Sequence, residues 1–188
     1  MSPSLSIFTA SNQQEFKQYE KVLDYCCCLM KKFSPMKKHE IFSSAEEYSF
    51  FMANGKLKIE TDFVLIAQMD GFIINPSAWS DDFLKYDYIG APWPDGIVGN
   101  GGFCLRSKKL LDALKDISKI FSDERYHPED LYICKTKRNL LETEYGIKFA
   151  PFEVANRFSV ENRPYMGQFG FHGKYVLNQL FIRNSRRL

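Results

Sequence analysis

The stretch FVLIAQMDG, residues 63–71, opens with a run of apolar residues and closes on a carboxylate followed by a glycine. A short unbroken apolar run, here Phe63 to Ala67, predicts a β-strand that is buried on both faces, as in parallel sheets. Asp70 and Gly71 make a common turn pair, which would explain why the strand stops there. The carboxyl ends of strands in an open α/β sheet are also where ligands bind. Asp70 is therefore either a turn residue or part of a ligand site.

The rest of the chain alternates between segments with strand patterns and segments with helix patterns. Strands are predicted at residues 5–9, 40–42, 63–67, 88–91, 103–105 and 147–154. Helices are predicted to begin near Asn12, Ser43, Ser77, Lys108, Pro128 and Lys174. Asn12 with Glu15, and Ser43 with Glu46, have the spacing of helix capping boxes. This alternation predicts a single-domain α/β fold with a mostly parallel central sheet flanked by helices.

The composition fits one compact domain. The chain has 188 residues, and its hydrophobic fraction of 45% is enough for a core. The formal net charge of +2 gives no reason to expect nucleic acid as a partner. We find no signal peptide and no apolar run long enough to predict a transmembrane segment. The five cysteines include three in a row and no CxxC motif, which predicts reduced thiols in a cytoplasmic protein.

Basic residues gather at the C-terminus, at Arg183, Arg186 and Arg187. One interpretation is a solvated terminus. The other is peripheral contact with a membrane surface or a phosphate group.

Three further clusters contain residues that could bind a ligand or take part in catalysis. In GNGGF, the glycines around Asn100 permit close backbone approach to a sugar or phosphate, or form a flexible loop. In HPED, Glu129 and Asp130 could supply a general base, or could be the acids that favour a helix start. In FGFHG, His172 lies between glycines, as either a metal or phosphate ligand or a loop residue.

The chain resembles an uncharacterised family of glycosyltransferase-like proteins found among bacterial and viral genes for surface polysaccharide. The resemblance extends over about residues 40–173. It is carried by the ordered motifs QMDGF, YDYIGAPW, GNGGFCLRS, PEDLYIC, KFAPFEVANRFSVE and FGFHG. It implies a compact version of the GT-A fold, whose enzymes take a sugar from a nucleotide diphosphate donor.

The resemblance also implies roles for these clusters. Asp70 matches the acidic motif that binds Mn²⁺ or Mg²⁺ on the donor diphosphate, with Gly71 leaving room for the ligand. His172 matches a late histidine that completes the metal site. The segment that shapes the donor-sugar pocket is matched by Asn100, Gly101 and Gly102.

The base and the remaining donor contacts are implied in the same way. Asp130, or Glu129, matches the acidic pair that takes the proton from the acceptor hydroxyl in inverting enzymes. Base and ribose contacts are expected from strand ends, at Thr9 to Asn12 and at Ser43 and Ser44. Apart from the resemblance, Trp93 lies near these clusters in the sequence and could either stack on a donor sugar or base or pack in the core. Arg106 and Arg157 are candidates for the diphosphate, with a surface position as the alternative for each.

The predicted function is sugar transfer from a nucleotide-diphosphate sugar to a hydroxyl of a glycan or other acceptor, in surface polysaccharide or glycan synthesis. Transfer is expected to be inverting and metal-dependent. Residues 1–70 would form the nucleotide-binding half, residues 71–173 the donor and acceptor half, and residues 174–188 a C-terminal helix with a basic tail.

Two other functions stay open. Gln68 stands where the first acid of a DxD motif would be, which allows a non-catalytic sugar- or nucleotide-binding module, or a partner subunit of a larger transferase. A metal-dependent phosphohydrolase would need more carboxylates clustered around two ions.

Overall fold

A five-stranded sheet forms the centre of the protein. The computed structural model describes residues 3–121 and 126–185, and only the backbone for Phe16 and residues 180–185. The strands are β1 (Leu5–Ser11), β2 (Met36–Ile41), β3 (Phe63–Ile66), β4 (Tyr88–Ile89) and β5 (Cys104–Ser107). Their order across the sheet is β2-β1-β3-β5-β4. β1 pairs in parallel with β2 and β3, whereas β5 pairs antiparallel with β3 and β4. Because β3 and β4 both run antiparallel to β5, the strands β1 to β4 all point in one direction and only β5 is reversed. In this sense the sheet is mostly parallel, as predicted.

Helices cover both faces of this sheet. They are α1 (Phe16–Leu29), α2 (Ala45–Ala53), α3 (Lys108–Ile120), α4 (Glu129–Leu131), α5 (Arg138–Thr143), α6 (Phe152–Phe158) and α7 (Lys174–Ser185). On one face of β3, Val64 and Ile66 pack among buried residues of α2 and α3. On the other face, Leu65 and Ala67 pack among buried residues of α1 and α6. Successive strand residues point to opposite faces, so burial on both faces requires the unbroken apolar run.

A second, two-stranded sheet carries the last predicted site residue. Its strands, β6 (Ser159–Glu161) and β7 (Gly170–His172), are parallel, and Glu161 lies opposite His172. An antiparallel bridge between Ile73 and Gly170 joins this sheet to the segment that follows Asp70. The small sheet therefore brings His172 to the end of β3.

An aromatic cluster fixes the small sheet to the core. Phe158, just before β6, stacks on Phe103 with ring centroids 5.2 Å apart, and Phe169, just before β7, lies 5.7 Å from Phe158. Phe83 and Trp79 complete the cluster. All four phenylalanines are fully buried.

The prediction of a strand at residues 147–154 is wrong. Only an isolated bridge between Tyr88 and Phe149 is present there, and α6 begins at Phe152. Pro151 immediately precedes that helix, with a φ of −70° that suits a helix start. The alternating apolar pattern of this segment reflects burial beside β4 and not a strand.

Two predicted helix starts are displaced. The cap of α2 is Ser44, whose hydroxyl accepts a hydrogen bond from the Glu47 amide, and not Ser43. The Glu47 carboxylate accepts from the Ser43 amide, one residue before the cap, so the serine and glutamate that form this helix start are Ser44 and Glu47. Ser77 lies within a 3-10 helix, Pro76–Ala78.

The helix predicted from Pro128 to Tyr145 is divided. Pro128 precedes the first helical residue, and a π-helical turn, Tyr132–Thr136, separates α4 from α5.

All five cysteines are free thiols, in agreement with the prediction. Arg186 and Arg187 lie outside the described residues.

Candidate active site

Asp70 lies in a tight turn immediately after β3. The Gln68 amide donates to the Gly71 carbonyl at 2.7 Å, and the Gly71 amide donates to the Gln68 carbonyl at 3.0 Å. The Asp70 carbonyl accepts a hydrogen bond of 2.7 Å from the Gly173 amide, which ties the turn to the end of β7. The turn interpretation is therefore correct, and the turn also presents the Asp70 carboxylate at the carboxyl edge of the sheet.

His172 connects Asp70 to a second carboxylate. Its Nε2 lies 3.6 Å from Asp70 Oδ1, and its Nδ1 lies 3.0 Å from Glu161 Oε1. Burial alone would lower the pKa of His172, but the hydrogen bond to Glu161 and the charges of Asp70, Glu161 and Asp130 raise it overall. Burial alone would raise the pKa of Glu161, and the hydrogen bond and charge of His172 outweigh it, so that pKa is lowered.

Asn100 closes the other side of this cluster. Its Nδ2 lies 3.0 Å from His172 Nδ1, and its carbonyl accepts a 3.1 Å hydrogen bond from the Tyr88 hydroxyl. Asn100 is buried and has a φ of 67°, in the left-handed region that asparagine tolerates better than most residues.

The glycines of the site leave room for protein side chains. A Cβ at Gly71 would lie 2.8 Å from His172 Cδ2, and one at Gly102 would overlap the His172 imidazole. A Cβ at Gly101 would collide with the Glu129 carboxylate. The space beside Gly71, predicted to be left for a ligand, is thus filled by His172.

The two candidate bases have different environments. Asp130 Oδ2 accepts a 3.1 Å hydrogen bond from the Gly101 amide, and Oδ1 accepts one of 2.8 Å from the Leu131 amide. Glu129 is only 6% exposed, and its Oε1 accepts a 3.1 Å hydrogen bond from the Arg106 guanidinium. Burial raises the pKa of Glu129, although the charge of Arg106 acts in the opposite direction. Glu129 is therefore enclosed beneath the glycine loop, whereas the neighbouring Asp130 is half-buried.

Arg106 was predicted either to contact the diphosphate or to lie on the surface, and it does neither. It is fully buried in β5, so it is neither a surface residue nor a direct ligand of a diphosphate. Its Nε also donates to the Cys104 sulfur at 3.3 Å. Arg157 is exposed and lies 3.8 Å from Asp82, which agrees with the surface alternative.

A cleft of about 310 Å³ opens along the carboxyl ends of β1 and β2, beside the Asp70 turn. Its lining is aromatic and polar: Ala10, Ser11, Asn12, Glu15, Tyr19, Phe42, Ser43, Ser44, Ala45, Tyr48 and Gln68. Tyr19 lines the cleft, and burial and then the charges of Glu15 and Asp70 raise the pKa of its phenol.

Two predicted donor contacts are placed differently. The buried Thr9 hydroxyl lies 2.7 Å from His39 Nδ1, and Ser11 and Asn12 line the cleft in its place. Trp93 packs on Gly99, and the Lys135 amine lies 5.0 Å from its ring centroid. Trp93 therefore supports the glycine loop from one side.

Glu161, Tyr19 and the buried role of Arg106 were not predicted from the sequence. Glu161 lies opposite His172 only through the register of β6 and β7. That register depends on long-range packing, and the spacing of residues along the chain gives no signal for it.

The described residues limit what the site can hold. Within residues 3–121 and 126–185, no three histidine, cysteine or acidic side chains are grouped so that they could hold a metal ion together. The helices of these same residues include none with the length and hydrophobicity needed to cross a bilayer.

Comparison with known proteins identifies the family. The model of a family described as "Protein of unknown function (DUF5672)" matches residues 31–172. The chain belongs to this family. The match covers nearly the same residues as the resemblance found in the sequence. No curated protein matches the chain in sequence.

Two solved structures are similar in fold. A glycosyltransferase involved in glycosylation of the major capsid of PBCV-1 has a TM-score of 0.51 and 11% identity, over 99% of this chain and 100% of that one. The galactosyltransferase LgtC, solved with donor and acceptor sugar analogs, has a TM-score of 0.47 and 12% identity, over 90% of this chain and 87% of that one. The first likeness shows a glycosyltransferase-type α/β fold, which confirms the predicted fold class.

Proposed function

We propose that the protein transfers a sugar from a nucleotide-diphosphate sugar to an acceptor hydroxyl. The observation that carries the proposal is the grouping of three features at one edge of the sheet. These are the aromatic and polar cleft beside β1 and β2, the Asp70–His172 pair, and Asp130 of α4, which is hydrogen-bonded to the glycine loop at Gly101. The fold is one in which such an edge binds ligands.

The cleft is the proposed nucleotide subsite. Tyr19, Phe42 and Tyr48 offer aromatic faces for a base, and the hydroxyls of Ser11 and Ser43 offer hydrogen bonds to a ribose. Tyr19 approaches Asp70, so a diphosphate that extends from the cleft would reach the turn. The glycine loop at Asn100 would then border the sugar.

Asp70 and His172 fit a divalent cation, Mn²⁺ or Mg²⁺, that needs the donor for its remaining ligands. Their Oδ1 and Nε2 atoms are 3.6 Å apart, and a small divalent ion lies roughly 2.1 Å from each such ligand. Magnesium sites commonly use one or two protein ligands together with substrate phosphates and waters. When bound, the ion would supply positive charge to the leaving diphosphate.

Asp130 is the proposed general base. It would take the proton of the acceptor hydroxyl while the hydroxyl oxygen bonds to the anomeric carbon. The bond from that carbon to the diphosphate oxygen breaks, and the diphosphate leaves with the electron pair. Attack opposite the leaving group inverts the anomeric centre. Two backbone N–H groups orient the Asp130 carboxylate for this step.

We further propose a glycan or similar hydroxyl acceptor, a role in surface polysaccharide or glycan synthesis, and a cytoplasmic location. Peripheral membrane contact through the basic C-terminus remains part of this proposal. The test is to measure how much of the full chain binds to lipid vesicles, and to compare it with a variant in which Arg183, Arg186 and Arg187 are all replaced by glutamine.

One observation favours a second function. Gln68 replaces an acid, so Asp70 and His172 are the two protein ligands at the turn. A site with few ligands would suit a nucleotide- or sugar-binding subunit that performs no chemistry. Slow hydrolysis of the donor in water, which a transferase should catalyse and a binding module should not, separates the two.

The test is calorimetric titration with UDP, GDP, CDP and dTDP, each with Mn²⁺ and again with EDTA. We expect one nucleotide to bind and to require Mn²⁺. The sugar conjugates of that nucleotide are then tested for hydrolysis and transfer. Asp130→Asn should bind the nucleotide as the native protein does and lose turnover. Turnover in that variant would exclude Asp130 as the base, and no binding by any of the four would exclude the donor site.

A further inference from the structure

Glu161 and His172 form a buried pair behind the proposed metal site. They face each other across the parallel strands β6 and β7, and their side chains are only 19% and 20% exposed. Glu161 Oε1 lies 3.0 Å from His172 Nδ1, on the side of the ring away from Asp70. The carboxylate of Glu161 therefore contacts Nδ1 of the imidazole, while Nε2 is the nitrogen nearest Asp70.

A second group competes for the same ring nitrogen. Asn100 Nδ2 is also 3.0 Å from His172 Nδ1. The Asn100 Oδ1 accepts from the Phe103 amide at 3.4 Å, so the amide group is oriented with its N–H donors toward the ring. Asn100 can donate only if Nδ1 carries no proton, whereas Glu161 can accept only if Nδ1 carries one.

The hydrogen bond from His172 Nδ1 to the Glu161 carboxylate should be favoured over the one from Asn100 to Nδ1. A hydrogen bond to an ionised acceptor is roughly twice as strong as one between neutral groups. A carboxylate that faces an imidazole lone pair is also repelled by it, and this repulsion would be stronger for Glu161 at 3.0 Å than for Asp70 at 3.6 Å. The Asn100 amide also helps to lower the pKa of Glu161, so that carboxylate is an alternative acceptor for it.

We propose that Glu161 is a positioning residue that holds the His172 proton on Nδ1 and so directs the Nε2 lone pair toward Asp70. This rests on the proposed function for its consequence, since a metal ligand must offer a lone pair. Without Glu161, the Asn100 amide donates to Nδ1. The ring proton then lies on Nε2, where it faces the Asp70 carboxylate and blocks the ligand position.

The direct test is heteronuclear NMR of the imidazole nitrogens without metal, at a pH where the rings are neutral. The chain has three histidines, so a His172→Gln variant assigns the signal. We expect the proton on Nδ1 in the native protein and on Nε2 in Glu161→Ala. Glu153→Ala, at an exposed glutamate of α6, is the matched control and should resemble the native protein.

A second variant covers the case in which Glu161→Ala does not fold. Glu161→Gln keeps the side-chain volume and removes the charge, so both tautomers should be populated. A native protein with the proton on Nε2, or an unchanged tautomer in both variants, would overturn the proposal.

Metal binding supplies the second readout. Titration of Mn²⁺ followed by electron paramagnetic resonance should show affinity reduced by about 10- to 100-fold in Glu161→Ala, as for other residues that orient a metal ligand. If the native protein binds no Mn²⁺ even with nucleotide, the proposed metal site fails. The tautomer measurement still decides the role of Glu161, because it uses no metal.

Discussion

Gly101 and Gly102 show at the scale of single residues how the site is packed. Each leaves space for one side chain, Glu129 beside Gly101 and His172 beside Gly102. The sequence identified both glycines as site residues because they surround an asparagine in a short loop. It assigned the free space to a ligand, since the side chains that fill it come from distant parts of the chain.

Gly102→Ala should disturb metal binding more than folding. The added methyl group overlaps the imidazole and must move His172 away from Asp70. Mn²⁺ affinity in the presence of nucleotide should fall by about 10- to 100-fold, measured by calorimetry. Gly96→Ala is the control, because Gly96 has a φ of 82° and no atom near its missing Cβ. Equal losses in both variants would point to backbone strain and not to His172.

Glu129→Gln should lower stability, whereas Asp130→Asn should lower activity. Removing one partner of a buried ion pair leaves Arg106 without a counter-charge, at a cost of about 3 kcal/mol or more. Asp130 is more accessible, and its replacement by asparagine should change the free energy of unfolding by about 1 kcal/mol or less. Urea denaturation monitors the first effect, and donor turnover the second. Full stability of Glu129→Gln would show that the Arg106 pair is not structural.

The α2 start shows at the scale of elements where sequence patterns succeed and where they fail. The capping box was recognised, but SSAEE offers two serines and two glutamates in the same spacing. Packing of α2 on the sheet selects Ser44 and Glu47. The predicted strand at 147–154 failed for a related reason, because apolar alternation records burial whether or not a neighbouring strand is present.

Ser44→Ala should destabilise the protein and Ser43→Ala should not. Ser44 satisfies the Glu47 amide at the start of α2, and losing such a cap costs about 1 kcal/mol. The Ser43 side chain makes no cap bond to this helix. Chemical denaturation gives the free energy of unfolding of each variant. The comparison is well matched because both serines are exposed and adjacent. Destabilisation by Ser43→Ala alone would place the helix start one residue earlier.

The whole molecule assembles its site from segments far apart in sequence. Asp70 follows β3, Asp130 lies in α4, and His172 ends β7. The sequence predicted the fold class and these three residues, because buried strands and the family motifs mark them locally. It could not predict Glu161 or the cleft residue Tyr19, since their neighbours are set by strand register and by the packing of α1.

Nucleotide with Mn²⁺ should raise the melting temperature, and Asp70→Asn should remove the metal-dependent part. A ligand present at about 100 times its Kd stabilises the folded state by about 2.7 kcal/mol. For a chain of this size that corresponds to roughly 5 to 10 °C. EDTA should reverse the shift in the native protein and have no effect on the variant. An EDTA-sensitive shift in Asp70→Asn would locate the metal elsewhere.

The small β6–β7 sheet joins the integrity of the site to that of the core. His172 and Glu161 lie on strands whose flanking residues, Phe158 and Phe169, belong to the aromatic cluster. A chain cut short before residue 159 would lose His172 and also Phe169, one of the rings that cover Phe103. Such a fragment should be recognised by proteases and chaperones as unfolded. Truncated products of the gene should therefore not accumulate beside the intact protein.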